Sequence, residues 1–331
     1  MAHGERQREQ SSTSGITRRS MHGVLLAAAA NTVRTSAVLA AMVAVPTSQV
    51  DWSDVPPPPE RFHGVLPRRR HKMWTPSFAV VAHAFGAHSH INSIEDIRRA
   101  FSYRGVNGVD VDVRISHNGV PVLYHDPVML RDFNPWPVEF FDDDALARMG
   151  VDMLGAVYEV VPRGKFLALD IKTGYGWAGS PRRTMLAVAE MLETHPERRA
   201  KTRVWLHRSE DVEEFRMIMG AQMRAHPGWV DVQAGMSTSV ESPQELRQVI
   251  DEGYEHHAES VSAPFAAIDS ATIAYAHEKG IFVYCWRVDA DQYEHAIACG
   301  VDCINADDIT RATTLMARAS EQYEHRSLVL A

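Results

Sequence analysis

The chain has 331 residues, 45% of them hydrophobic and 23% charged, the balance of a water-soluble protein with a sizeable buried core. A formal net charge of −8 does not favour a nucleic-acid-binding surface, so an anionic ligand would need a local cation. Cys285, Cys299 and Cys303 are too few and too clustered for a disulfide framework and lack the companion ligands of a zinc site, so they read as structural thiols.

Residues 1–77 differ from everything after them. Gln10 to Val50 contains no Asp or Glu, while Arg18, Arg19 and Arg34 stand among many Ser, Thr and Ala. The apolar runs Val24–Ala30 and Ala37–Pro46 are each shorter than the roughly 20 residues that span a bilayer. Residues 1–50 therefore read as a targeting segment, with export or secretion ahead of organellar import, or else as a disordered extension. Residues 51–77 read as a linker, stiffened by Pro56–Pro59 and carrying the solvated basic stretch Arg68–Lys72.

Beyond Trp74, short apolar runs alternate with helical periods. The predicted pairs are Phe78–His83 with Ser93–Tyr103, then the strands Gly108–Ile115 and Val120–Tyr124 with a helix near Met153–Val161, and Phe166–Ile171 with Arg182–Thr194. The second half gives Arg203–Leu206 with Asp211–His226, Trp229–Gln233 with Pro243–Glu252, and His257–Ser262 with Ile268–Lys279. It closes with Ile281–Trp286 and Ala290–Cys299, then Cys303–Asn305 and Ile309–Ala319. Val/Ile-rich strands each followed by an amphipathic helix are parallel βα units, and about eight of them fit a closed (β/α)8 TIM barrel. No G-x-G-x-x-G follows the first strand, which removes the main support for a dinucleotide fold. Asn118-Gly119 predicts a tight turn and one antiparallel pairing.

In such a barrel the functional side chains collect at the C-terminal ends of the strands. His83 ends the first strand and His125-Asp126 ends the third. Asp110 and Asp112 share one face of the second, and Asp170 and Lys172 one face of the fourth. Three converging carboxylates repel unless a cation joins them, and an all-oxygen donor set selects Mg²⁺ or Ca²⁺. A salt-bridged cluster with Lys172 and Arg114 is the alternative use of the same residues. His83 and His125 have the residue type for proton transfer near neutral pH. Asp126 also reads as a turn cap, Trp286 as barrel core or as the apolar wall of a pocket, and the Asp142–Asp144 run as a helix start. Asn305, Asp307 and His207 are weaker strand-end candidates, and His88 and His90 read as solvated.

The stretch VVAHAFGAHSHINSIEDIRRAFSYRGVNGVDVDVRISHNGVPVLYHDPVMLR resembles the signature region of the glycerophosphodiester phosphodiesterases. That family shows His-Arg, Glu-Asn, Glu-x-Asp and G-x-P-V-x-x-H-D-P-x-x-x-R, matched here by His83, Asn92, Asp110–Asp112, Gly119–Val122, His125–Pro127 and Arg131. Its later Glu-x-Lys strand is matched by Asp170 and Lys172, its Val-Tyr-x-Trp strand by Val283–Trp286, and its Gly-Val-Asp-x-Ile by Gly300–Ile304. Ala84 stands where the family has an Arg expected to contact phosphate, Ile91 where it has Glu, and Asp110 and Asp170 where it has Glu.

The resemblance implies that residues 78–331 form a TIM barrel of the phospholipase-C-like phosphodiesterase type. It implies metal-dependent phosphodiester hydrolysis with His83 and His125 as acid and base, and Asp110, Asp112 and Asp170 as metal ligands. Lys172, Arg131, Trp286 and Asn92 would contact a small phosphodiester or lysophospholipid, with no nucleic-acid partner. The attacking oxygen is left open between water and a substrate hydroxyl. A lipid-cleaving activity of the phospholipase D or C kind, with peripheral membrane contact through Phe133–Phe141, is the same-class alternative. A catalytically weak metal-binding protein is the other, supported by Ala84.

Overall fold

A computed structural model describes residues 79–85, 91–131, 134–172 and 180–318. The readings of residues 1–77, of His88 and of His90 lie outside them. Strand β1 (Ala79–Ala82) is followed by helix α1 (Ile94–Phe101), strand β2 (Gly108–Ile115) and strand β3 (Pro121–Leu123). A hairpin of β4 (Val128–Arg131) and β5 (Asn134–Pro137) then leads into the short helices α2 (Asp143–Arg148) and α3 (Leu154–Val157). Next come β6 (Phe166–Ile171), α4 (Ser180–Thr194), β7 (Thr202–Leu206), α5 (Ser209–Ala225), β8 (Gln233–Ser237) and α6 (Pro243–Glu255). The chain continues through β9 (Ser260–Pro264), α7 (Ser270–Lys279), β10 (Phe282–Trp286), α8 (Tyr293–Cys299) and β11 (Cys303–Ala306), and residues 309–318 are helical.

The order β1-β11-β10-β9-β8-β7-β6-β2 is parallel throughout, and β1 also pairs with β2, so the sheet closes into a (β/α)8 barrel. β3 adds to β2 antiparallel through the Asn118-Gly119 turn, where Gly119 takes φ +89° without steric cost.

Strand parity sorts two cores. Val80, Val109, Val111, Leu167, Leu169, Val204 and Ile304 face the helices in the main hydrophobic layer. Ala79, Val81, Phe166, Ala168, Trp205, Tyr284 and Cys303 fill the barrel interior. Because Val109, Val111 and Val113 face the helices, Asp110, Asp112 and Arg114 must face inward. The cysteines are buried and free. Helix starts are set by side-chain caps, among them Ser93, Asp142, Ser242 and Asp269, so Asp142 does begin a helix as its sequence context predicts.

Two strands lie a few residues later than their patterns predict. Trp229 is not in β8; it stacks on His226 with ring centroids 3.9 Å apart and lies beneath the Arg199 guanidinium. β8 starts at Gln233 and carries Gly235, where a Cβ would meet the Ser260 carbonyl oxygen at 2.6 Å, so close strand approach replaced β-branched residues there. β9 starts after His257, whose φ of +63° ends the preceding turn. The β4–β5 hairpin was not foreseen either. It exposes Val128, Leu130 and Trp136, while Val138 and Phe141 just beyond it pack inward. Among the described residues no helix is long and apolar enough to cross a membrane.

Candidate active site

The inward-facing residues continue past the strand ends into a polar mouth. Asp112 and Asp170 are register partners on β2 and β6, which sets their carboxylates side by side. Lys172 Nζ sits between them, 2.7 Å from Asp112 Oδ1 and 2.6 Å from Asp170 Oδ2. The other oxygens are also engaged. Asn92 Nδ2 donates to Asp112 Oδ2 at 2.7 Å while its Oδ1 accepts from the Asp112 backbone N–H, and His207 Nε2 lies 2.7 Å from Asp170 Oδ1. Burial works against ionisation of Asp170, but the hydrogen bond from His207 and the charge of Lys172 hold it well below the usual carboxylate range. The same two carboxylates overcome burial to hold Lys172 firmly charged.

Asp110 differs. Asn305 Nδ2 donates to its Oδ2 at 3.0 Å, while its Oδ1 is buried with no hydrogen-bond partner among the described residues. Burial pushes this carboxyl upward, against the charge of His83. An orphaned carboxylate oxygen beside two further carboxylates is suited to a hard divalent cation, and the oxygen-only donor set agrees. No metal-spaced group of His, Cys, Asp or Glu side chains occurs among the described residues, because Lys172 separates Asp112 from Asp170. Arg114 takes no part in that clasp. Its Nε and Nη2 donate to the His125 carbonyl at 3.1 and 2.7 Å, tying the third strand end to the second.

His83 follows β1, with its backbone N–H donating to Ala306. Its Nδ1 lies 2.8 Å from Asp307 Oδ1, and its side chain is 27% exposed. Burial alone would lower its pKa, but the Asp307 hydrogen bond and the charges of Asp110, Asp307 and Asp112 raise it to about 9. His125 is 42% exposed, with Nδ1 2.8 Å from Asp126 Oδ1, so Asp126 orients an imidazole rather than only capping a turn. Trp286 ends β10, with Nε1 buried and without a partner among the described residues and Arg287 over its ring. The Arg131 side chain lies outside the described ones. Ala84 is buried, at 4% exposure.

The structure thus joins Asp112, Asp170, Lys172 and Asn92 into one hydrogen-bonded cluster, with Asp110 and His83 close enough to feel its charge and His125 tied by its backbone carbonyl to Arg114. Three partners that the pattern flagged only weakly, His207, Asn305 and Asp307, complete it. Each is a polar residue at or just past the end of a barrel strand, the same signal that marked His83.

A closed parallel barrel with histidines and carboxylates gathered at its C-terminal mouth has the architecture of a barrel hydrolase. Residues 84–311 match the model of the glycerophosphoryl diester phosphodiesterase family, and the chain belongs to that family of phosphoric diester hydrolases. Among solved structures it is similar to a glycerophosphodiester phosphodiesterase from Thermotoga maritima, at TM-score 0.55 and 18% identity, covering 72% of this chain and 98% of that one. It is also similar to an Oleispira antarctica phosphodiesterase in complex with the product sn-glycerol-3-phosphate, at TM-score 0.55 and 15% identity, covering 72% and 96%. No curated protein matches the chain.

Proposed function

We propose that this chain hydrolyses glycerophosphodiesters by histidine acid–base catalysis supported by a divalent cation. The observation that carries the reading is the mouth itself, where two carboxylate-oriented histidines stand at strand ends of the same barrel as the buried carboxylates, Asp110 with an oxygen left unpartnered among the described residues. His83 is the acid: its raised pKa keeps a proton available at neutral pH for the leaving alcohol oxygen. His125, more exposed and turned by Asp126, is the base toward the attacking oxygen. Asp110, Asp112 and Asp170 would hold Mg²⁺ or Ca²⁺, which when bound neutralises phosphoryl oxygens. Lys172, paired with both Asp112 and Asp170, would balance the charge of the donor set, and Trp286 supplies an apolar wall for the alcohol portion.

The test is turnover of a glycerophosphodiester with Mg²⁺, with Ca²⁺ and with EDTA, beside a lysophospholipid. Release of glycerol phosphate that EDTA abolishes is the expected result. The Lys172 clasp favours one second reading, in which the carboxylates serve only as counter-ions and turnover is weak. Turnover absent on every diester, with a melting temperature indifferent to EDTA, would establish that reading instead.

A further inference from the structure

Trp286 shares the inward parity of Tyr284, which packs edge-on against Trp205 inside the barrel at 4.9 Å between centroids. The pairing of Cys285 with Ile304 sets Trp286 level with Asn305, whose amide reaches Asp110. The Trp286 ring therefore lines the same mouth as the carboxylates. Arg287 should alternate outward, yet its φ of +48° is in the left-handed region, which non-glycine residues enter at a steric cost. That backbone turns its guanidinium back over Trp286, with Cζ 4.6 Å from the ring centroid.

Arg287 is exposed, and among the described residues no carboxylate pairs with it. Lys172 and Arg114, the lysine and arginine described on the inward face of β2 and at the end of β6, are committed to Asp112 and Asp170 and to the His125 carbonyl, and His83 to Asp307. The family's cation after the first histidine is missing, with buried Ala84 in its place. Strain retained at a site wall, holding an exposed guanidinium over the Trp286 ring of that mouth, calls for an anionic ligand.

We propose that Arg287 is the phosphate-binding cation of this chain, donating to a phosphoryl oxygen of the diester from the β10 side of the mouth. The assignment rests on the diesterase reading for its substrate, but phosphate binding tests it separately.

The full chain and its R287A, R287Q, R287K and R287G variants are titrated with inorganic phosphate, with and without Mg²⁺, by calorimetry and thermal shift. R287A and R287Q should weaken phosphate binding roughly 10- to 100-fold, the range of one charge-assisted contact. R287Q keeps a planar head over Trp286, so its loss assigns the effect to charge rather than packing. R287K should recover part of the affinity, and added guanidinium should restore part of it to R287G. R287G should also melt no lower than the parent, since glycine tolerates the left-handed backbone. On a glycerophosphodiester, kcat/KM should fall by the same factor in R287A. Phosphate affinity equal in parent, R287A and R287Q, or absent in the parent, overturns the assignment. Phosphate binding through Arg287 without diester turnover would keep it and sink the diesterase reading instead.

Discussion

His83 Nδ1 lies 2.8 Å from Asp307 Oδ1, a contact that joins the end of the first barrel strand to the end of the last. Together with Asp110 and Asp112 it keeps His83 protonated up to about pH 9, against the pull of burial. If His83 is the acid, kcat/KM should fall as pH rises through about 9. Asp307→Asn removes a charge that raises this pKa, so the falling limb should move to lower pH. A pH–rate profile whose upper limb is identical in Asp307→Asn would remove His83 from the proton-donor role.

His83→Ala and His125→Ala should each lose roughly 100- to 10,000-fold in turnover while the barrel stays folded, because both side chains lie at its rim rather than in its core. The double variant should be little worse than the worse single one, since groups acting in concert are not additive. Near-normal kcat in either single variant, measured beside an unchanged circular dichroism spectrum, would take that residue out of the mechanism.

His83 and Asp110 both bind protons more tightly folded than unfolded, His83 through its acidic partners and Asp110 through burial. For His83 the stabilisation is fully present below 6.5 and lost as pH rises through about 9. Asp110 adds a loss of the same sign above the ordinary carboxylate range. The metal-free protein should therefore melt at lower temperature as pH rises from neutral to alkaline. A divalent cation competes with the Asp110 proton, so its stabilising shift should grow over the same range. Asp110→Asn should flatten the slope, and Asp112→Asn should cut cation affinity and activity together. Melting curves with Mg²⁺ and with EDTA decide it: coincidence at every pH would make the carboxylates structural.

Ala84→Arg would restore the family's residue, and by pattern alone it should add a phosphate contact. The structure alters that expectation, because Ala84 is only 4% exposed. A guanidinium there must overpack its surroundings or break the strand end, at a cost of about 1–3 kcal/mol. The variant should lose several degrees in Tm and gain nothing in kcat/KM. A tenfold gain on glycerophosphodiesters would show that the side chain reaches the mouth after all.

Strand β1 starts at Ala79, and its partners are β2 and β11. A chain beginning at Met73 should therefore fold and keep the activity of the full protein, measured as Tm and kcat/KM side by side. Insolubility of that shortened chain would assign residues 1–72 a packing role.

Much of the barrel is legible from residue pattern because strand and helix periodicity are local. Val109-Asp110-Val111-Asp112-Val113 by itself fixes which side chains face inward, since parity admits only one face for the valines. Where Gln233–Ser237 carries Gly235 in place of β-branched residues, that signal fails, and the pattern places the strand at the more apolar Trp229–Gln233 instead.

The sequence by itself determined the strand-end histidines, the inward carboxylates and the order of the βα units. Tertiary structure alone decided what those groups do to one another. Closure of β11 onto β1 brought Asp307 to His83, and the register of β2 with β6 put Lys172 between Asp112 and Asp170. At Arg287 a left-handed backbone angle accompanies a guanidinium set over the Trp286 ring. Each of these is a contact between groups whose separation is set by sheet closure, register or a local dihedral. Electrostatic energy depends on that distance and burial, which no spacing along the chain encodes.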